Sequence, residues 1–202
     1  MIYEGETEDT VIKMIFDALN VDEKRDGIFL WNASGQGNIK NNLYGLVQLA
    51  REQGIDVFLI LDHDVDWSDI LEDFKRRGYL KEDMYHVWER DFELDNFTID
   101  KIIERINSVL EQKFLERIEK DEVVKKISSS SKKSIKIISD LINQKNGVKL
   151  EDVISKKDLA QILIEFRNTQ IKRERYGDGW KPLLPIEKIL YKIFVMIPRV
   201  IG

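Results

Sequence analysis

The sequence predicts an α/β fold, a parallel sheet flanked by helices, followed by a mostly helical C-terminal half. Three observations predict it. "GIFLWNAS" (27–34) and "DVFLILDHDVD" (56–66) are continuous apolar runs, the pattern of strands buried on both faces. Segments of helical period lie between such runs, as a parallel sheet requires of its crossovers. Beyond residue 100 the strand-like runs stop, and Lys/Glu-rich stretches of helical period take over.

In order, "MIY" (1–3) is the stub of a first strand, and Gly5 turns it into a helix over 8–19, where apolar residues fall at 11, 12, 15, 16 and 19. The second strand (27–34) leads through the glycine-containing turn "SGQGNI" (34–39) into a helix that stops near Gly54. The third strand (56–66) ends in acids. A helix over 68–77 follows, capped by Ser68. "MYHVWERDFELDNF" (84–97) reads as a strand running into a loop. Residues 98–118 and 119–145 are polar and helical in period, broken by "SSSSKKS" (128–134). "SKKDLAQILIEF" (155–166) reads as a capped amphipathic helix beginning at Ser155. Residues 173–185, with two Gly and two Pro, read as a loop, and the apolar tail packs on this domain or on a partner. The chain divides into a core (1–100), a basic helical extension (101–150) and a helix–loop–helix end (151–202).

Composition narrows the chemistry. The 202 residues are 43% apolar, enough for a real core, and contain no cysteine and two histidines, His63 and His86. Thiolate and histidine-built metal sites are thereby excluded or disfavoured, so a bound metal would take oxygen ligands: magnesium, manganese or calcium. No apolar run approaches the roughly 20 residues of a membrane span, and no signal peptide is visible, which fits a cytoplasmic protein. The net charge of −5 hides an asymmetry: residues 1–100 hold 23 acidic against 10 basic side chains, and residues 101–202 hold 14 against 22. An acidic half beside a basic half suits a metal-dependent enzyme acting on a polyanion; an uneven solvated surface explains it equally well.

Three acidic clusters end three of the four strand-like segments. Asp62 and Asp64 follow "VFLIL", and strand side chains two apart share a face, so they project together with His63 turned aside. Ligands bind at such carboxyl ends in open α/β sheets, and two like charges so close call for a divalent cation or a raised pKa. Glu4 ends the first strand. Glu6, Glu8 and Asp9 also suit the positive end of a helix dipole, but Glu4 precedes the glycine and has no such explanation. Glu93 and Asp95 in "ERDFELDNF" share a face by the same period of two.

Taken together, "EGETE" (4–8) and "LILDHDVD" resemble the Toprim domain, the metal-binding Rossmann-like fold of topoisomerases, primases and some nucleases. The match is closer to the Toprim domain of OLD-family (overcoming lysogenization defect) endonucleases, through Glu-Gly-x-Thr-Glu, "SGQGNI", "FELDNF" and the lysine of "SKKDLA". It covers residues 1–100 well and 150–166 more loosely. The resemblance implies that Glu4, Glu8 and Asp62 bind one divalent ion, and that Asp64, Glu93 and Asp95 help hold a second about 4 Å away. It makes Glu4, Asp62 and Lys156 the catalytic residues, with Lys156, or its neighbour Lys157, neutralising charge on the phosphate. Mg²⁺ or Mn²⁺ would support cleavage, and Ca²⁺ would bind unproductively.

The first strand is shorter than the family's, and the ATPase phosphate-loop motif that usually accompanies these nucleases is absent from the 202 residues. The resemblance therefore implies an ABC-type ATPase partner, in cis upstream or in trans. DNA is the expected polyanion. Lys125, Lys126, Lys132 and Lys133 in the basic extension, with Arg173 and Arg175 near Tyr176 and Trp180, are the candidate contacts. Other Toprim chemistry (topoisomerase or primase), a non-catalytic interaction module and a homodimer stay open at this point.

Overall fold

In a computed structural model, the protein is described over residues 1–33, 36–130, 132–176 and 179–196, with the side chains of 36–41, 175, 176 and 196 outside that description. The turn at 34–35, Ser131, the Arg175 side chain and the last six residues of the tail thus lie outside the described residues.

Four short parallel strands form one sheet, β1 (Ile2–Tyr3), β2 (Trp31–Asn32), β3 (Leu59–Leu61) and β4 (Tyr85–Val87), in the order β2-β1-β3-β4. Ile2 pairs with Trp31 on one side and Leu59 on the other, and Leu59, Ile60 and Leu61 pair with Tyr85, His86 and Val87. Tyr3 and the whole of β3 are solvent-free, as expected of strands covered on both faces. The order reverses direction between β1 and β3. That switch point opens a crevice outside the carboxyl ends of these two strands.

The crossovers are α1 (Glu6–Leu19), α2 (Gln36–Glu52) and α3 (Ser68–Arg76). The expected strand at 27–34 shrinks to two residues, because Gly27 has a left-handed φ of 70° and the Ile28 N–H bonds back to the Glu23 carbonyl. The residue before α3 is Trp67, and the expected Ser68 cap is replaced by Asp66, whose carboxylate accepts the Ser68 N–H and hydroxyl. After β4 the chain forms a short helix, α4 (Phe92–Asn96), where the sequence suggested a loop.

The C-terminal half is helical: α5 (Ile99–Gln112), α6 (Lys120–Ser128), α7 (Ser134–Asn146), α8 (Leu150–Val153), α9 (Lys156–Tyr176) and α10 (Pro185–Met196). Ser155 caps α9 by accepting the Asp158 N–H at 3.1 Å. The helix runs ten residues past the expected end, since no glycine or proline interrupts it before Gly177. Its apolar stripe (Leu159, Ala160, Leu163, Ile164, Ile171) is buried, and α9 packs along α1. The apolar tail packs on its own chain: Ile186, Ile189, Leu190 and Phe194 of α10 are buried, and the Phe194 ring lies 5.4 Å from that of Phe16. The two halves therefore share one hydrophobic core.

Beneath that core edge sits a buried ion cluster. Arg167 of α9 makes two 2.7 Å bonds to the fully buried Glu187 of α10 and bonds to Glu174 and to the Lys181 carbonyl.

Candidate metal centre

The site grows from the switch point. Glu4 follows β1 and Asp62 follows β3, so adjacent parallel strands deliver their first polar residues side by side. The turn after β3 returns Asp64 to the same place. The buried Trp67 indole N–H holds that turn by donating to the Asp62 carbonyl at 2.8 Å. One carboxylate oxygen from each of Glu4, Asp62 and Asp64 lies within 4.8 Å of the others. Glu4 and Asp62 are buried and Asp64 is exposed. His63 points into a neighbouring hollow lined by Trp67, Lys75 and Tyr85.

Three carboxylates this close repel, and the described residues balance them with one cation. The Lys133 ammonium forms an ion pair and hydrogen bond with Asp62 and lies 3.4 Å from Asp64 and 3.7 Å from Glu4. Burial alone would lower its pKa, but the Asp62 bond and the surrounding acids raise it overall. One Glu4 oxygen, Oε2, is buried without a hydrogen-bond partner among the described residues. A buried, unpartnered carboxylate oxygen inside an all-oxygen donor set fits a hard divalent cation. Burial, reinforced by Asp62, pushes the Glu4 pKa up to about 7.

Glu8 stands deeper, on the first turn of α1. Its carboxylate accepts the Trp88 indole N–H at 2.7 Å and the Gly5 N–H at 2.7 Å. Burial, then the charge of Asp62, raises its pKa to about 8, although those two donors pull the other way. Gly5 is needed for space rather than for an unusual backbone, since its φ is −103°. A Cβ there would come within 3.0 Å of the Glu8 carboxylate. Gly5→Ala is expected to push Glu8 off its donors and lower stability by about 1–3 kcal/mol. Urea unfolding checks it; an unchanged midpoint would contradict the close packing.

A cleft of about 230 Å³ adjoins the triad, lined among others by Glu8, Asp62, Asp91, Glu93, Lys133 and Lys156. Glu93 is raised to about 7, by burial first and then by Asp91. The sequence grouping of the ligands is therefore rearranged: Asp64 joins Glu4 and Asp62, while Glu8 and Glu93 lie along the cleft. Asp95 is not brought there. Residues 92–96 are helical, so positions two apart point about 200° apart around the axis rather than sharing a face. The Asp95 carboxylate instead accepts the Glu89 N–H at 2.6 Å.

Sequence reasoning missed Asp91. It is buried, accepts the Leu94 N–H at 2.8 Å as the α4 N-cap, and accepts the Ser134 N–H at 2.6 Å. Its signal was present as an aspartate three residues before Leu94 at a helix start, but the segment was read as extended.

Of the candidate nucleic-acid contacts, Lys133 is turned into the acids rather than outward. Lys132 pairs with Asp140 at 2.9 Å, Lys126 bonds Gln144, and Lys125 is exposed. Arg173 is exposed about 25 Å along α9 from Lys156. Lys156 reaches the cleft wall, and Lys157 is not among the lining residues.

A parallel α/β sheet with flanking helices matches a Toprim-type fold, and the carboxylates at its switch point form a group that could hold a metal ion. The family model described as "Overcoming lysogenization defect protein-like, TOPRIM domain" matches residues 1–64, so this segment is similar to that domain. No curated protein and no solved structure matches the chain. Among the described residues no helix is long and apolar enough to cross a membrane.

Proposed function

We propose that the protein is a divalent-metal-dependent DNA endonuclease or nickase that cleaves phosphodiester bonds with two ions. The observation that carries this reading is the convergence of Glu4, Asp62 and Asp64 around a buried oxygen that has no hydrogen-bond partner among the described residues. In it, Glu4, Asp62 and Asp64 would hold one Mg²⁺ or Mn²⁺, and Glu8, Glu93 and Asp91 along the cleft would offer carboxylates for a second. Ions bound there would supply Lewis-acid stabilisation and an activated water. Glu8 is kept in register by Trp88 and Gly5. Lys156, on the cleft wall at the first turn of α9, offsets negative charge that builds on the phosphate. The exposed lysines of the basic extension supply salt-sensitive contacts to the DNA backbone. An ABC-type ATPase, in cis or in trans, completes the system by the same family likeness.

The test is plasmid cleavage in Mg²⁺ or Mn²⁺ by the parent and by Asp62→Ala; equal cleavage by both would sink this centre.

The carboxylates also set a pH dependence. Glu4, Glu8 and Glu93 have folded pKa values of about 7, 8 and 7, above the ordinary carboxylate value. Between that ordinary value and pH 8 the folded state holds more protons than the unfolded chain, so metal-free stability falls as pH rises through this window. Ionisation is what an ion needs, so metal affinity and cleavage rise over the same range. Melting in chelator from pH 5.5 to 8.5 should show a declining midpoint that saturating Mn²⁺ flattens or reverses. A midpoint rising with pH in chelator would contradict the assignment.

A further inference from the structure

The proposed metal position already has a tenant. Resting on the metal-centre reading above, we infer that Lys133 is an internal counter-cation. It holds the Glu4–Asp62–Asp64 triad together in the metal-free protein and must leave before the first divalent ion can bind.

Its place is built into the fold. Lys133 immediately precedes α7, and the next residue, Ser134, is buried with its backbone N–H bonded to Asp91. Asp91 in turn caps α4, which packs against α7. The backbone at 133–134 is thus pinned to the wall of the cleft, 71 residues along the chain from Asp62. The neighbouring Lys132 points elsewhere, to Asp140. Only the Lys133 side chain, 38% exposed, needs to move. Four rotatable carbons allow the ammonium to swing outward while its backbone stays fixed.

The competition follows from the geometry. The ammonium contacts Asp62 and stands 3.4 and 3.7 Å from Asp64 and Glu4, the same oxygens that an ion would use. A divalent ion bound by those oxygens would take the place the ammonium now occupies among them. The metal-free triad is spared its own repulsion and stays preorganised, at the cost of weaker apparent metal binding. Once displaced, the ammonium remains tethered at the cleft mouth. With the nucleic acid of the proposed function at the cleft, ion entry would turn this internal positive charge into one facing its phosphates.

Two measurements test this on the full chain. Calorimetric titration with Mn²⁺ compares the parent, Lys133→Met and Lys132→Met. Lys133→Met should bind at least about tenfold more tightly than the parent, and Lys132→Met within about twofold of it. Binding by Lys133→Met alone would also support the inference. Lysine acetylation of the parent, read by mass spectrometry against the exposed Lys24, should show Lys133 protected without metal and reactive with Mn²⁺. This second measurement decides the matter if Lys133→Met does not fold. Equal Mn²⁺ affinity in the parent and Lys133→Met, or Lys133 labelling that Mn²⁺ does not change, overturns the counter-cation and leaves the metal centre standing. No Mn²⁺ binding by either protein overturns both.

Discussion

Asp62→Ala is expected to reduce Mn²⁺-dependent cleavage by at least about a thousandfold while leaving the protein folded. The first half follows from position. Asp62 is the acid common to both groups: it belongs to the triad with Glu4 and Asp64, and its charge also acts on Glu8 and Glu93. The second half follows from what the substitution leaves behind. Lys133 keeps Asp64 and Glu4 as partners, so no buried cation is stranded. Glu4 and Glu8 lose a repelling neighbour, and their raised pKa values should relax downward. Cleavage assays paired with circular dichroism melting separate chemistry from folding. An Asp62→Ala protein that melts with the parent yet cuts as fast as the parent would remove Asp62 from the centre.

Arg167→Leu is expected to be the most destabilising single change, by about 3–5 kcal/mol. Glu187 is fully buried, and its two oxygens receive the paired 2.7 Å bonds from the Arg167 guanidinium. Among the described residues, removing the arginine leaves that carboxylate with the Leu183 N–H at 3.0 Å and the Trp180 indole at 3.3 Å. It also takes the guanidinium from Glu174, which keeps the Lys181 N–H at 3.2 Å, and from the Lys181 carbonyl, so the α9–α10 connection loses its clamp. For a chain of this size such a loss lowers the melting midpoint by roughly 10 °C. The double change Arg167→Leu with Glu187→Leu should recover part of it, since replacing both members of a buried pair is far less costly than removing one. A single mutant within about 1 kcal/mol of the parent would show that the pair is not desolvated.

The two experiments probe different halves of the molecule. The proposed metal centre draws on the carboxyl ends of β1 and β3, whereas the Arg167 cluster joins two helices far along the chain. The centre nonetheless depends on the helical half for Lys133, Lys156 and the partner of Asp91. That dependence explains why residues beyond the matched 1–64 segment line the cleft.

The sequence by itself determined the local geometry. Apolar runs ending in acids identified β3 and the pair Asp62 and Asp64, and Glu-Gly at the end of β1 singled out Glu4, because strand alternation and helix period are short-range properties. The same local rule failed at 92–96, where a helix took the place of an extended segment and parted Glu93 from Asp95. Which acids meet was decided only by the tertiary structure. β1 and β3 become neighbours through the sheet order, bringing Glu4 to Asp62 across 58 residues. Lys133, which by composition belonged to a DNA-facing basic surface, is instead placed among them, because the Ser134–Asp91 bond anchors its backbone at the cleft. No local pattern encodes such a contact. It arises when helices from the basic half pack against the acidic sheet, and the buried carboxylates, unable to remain close and uncompensated, take the cation that packing brings within reach.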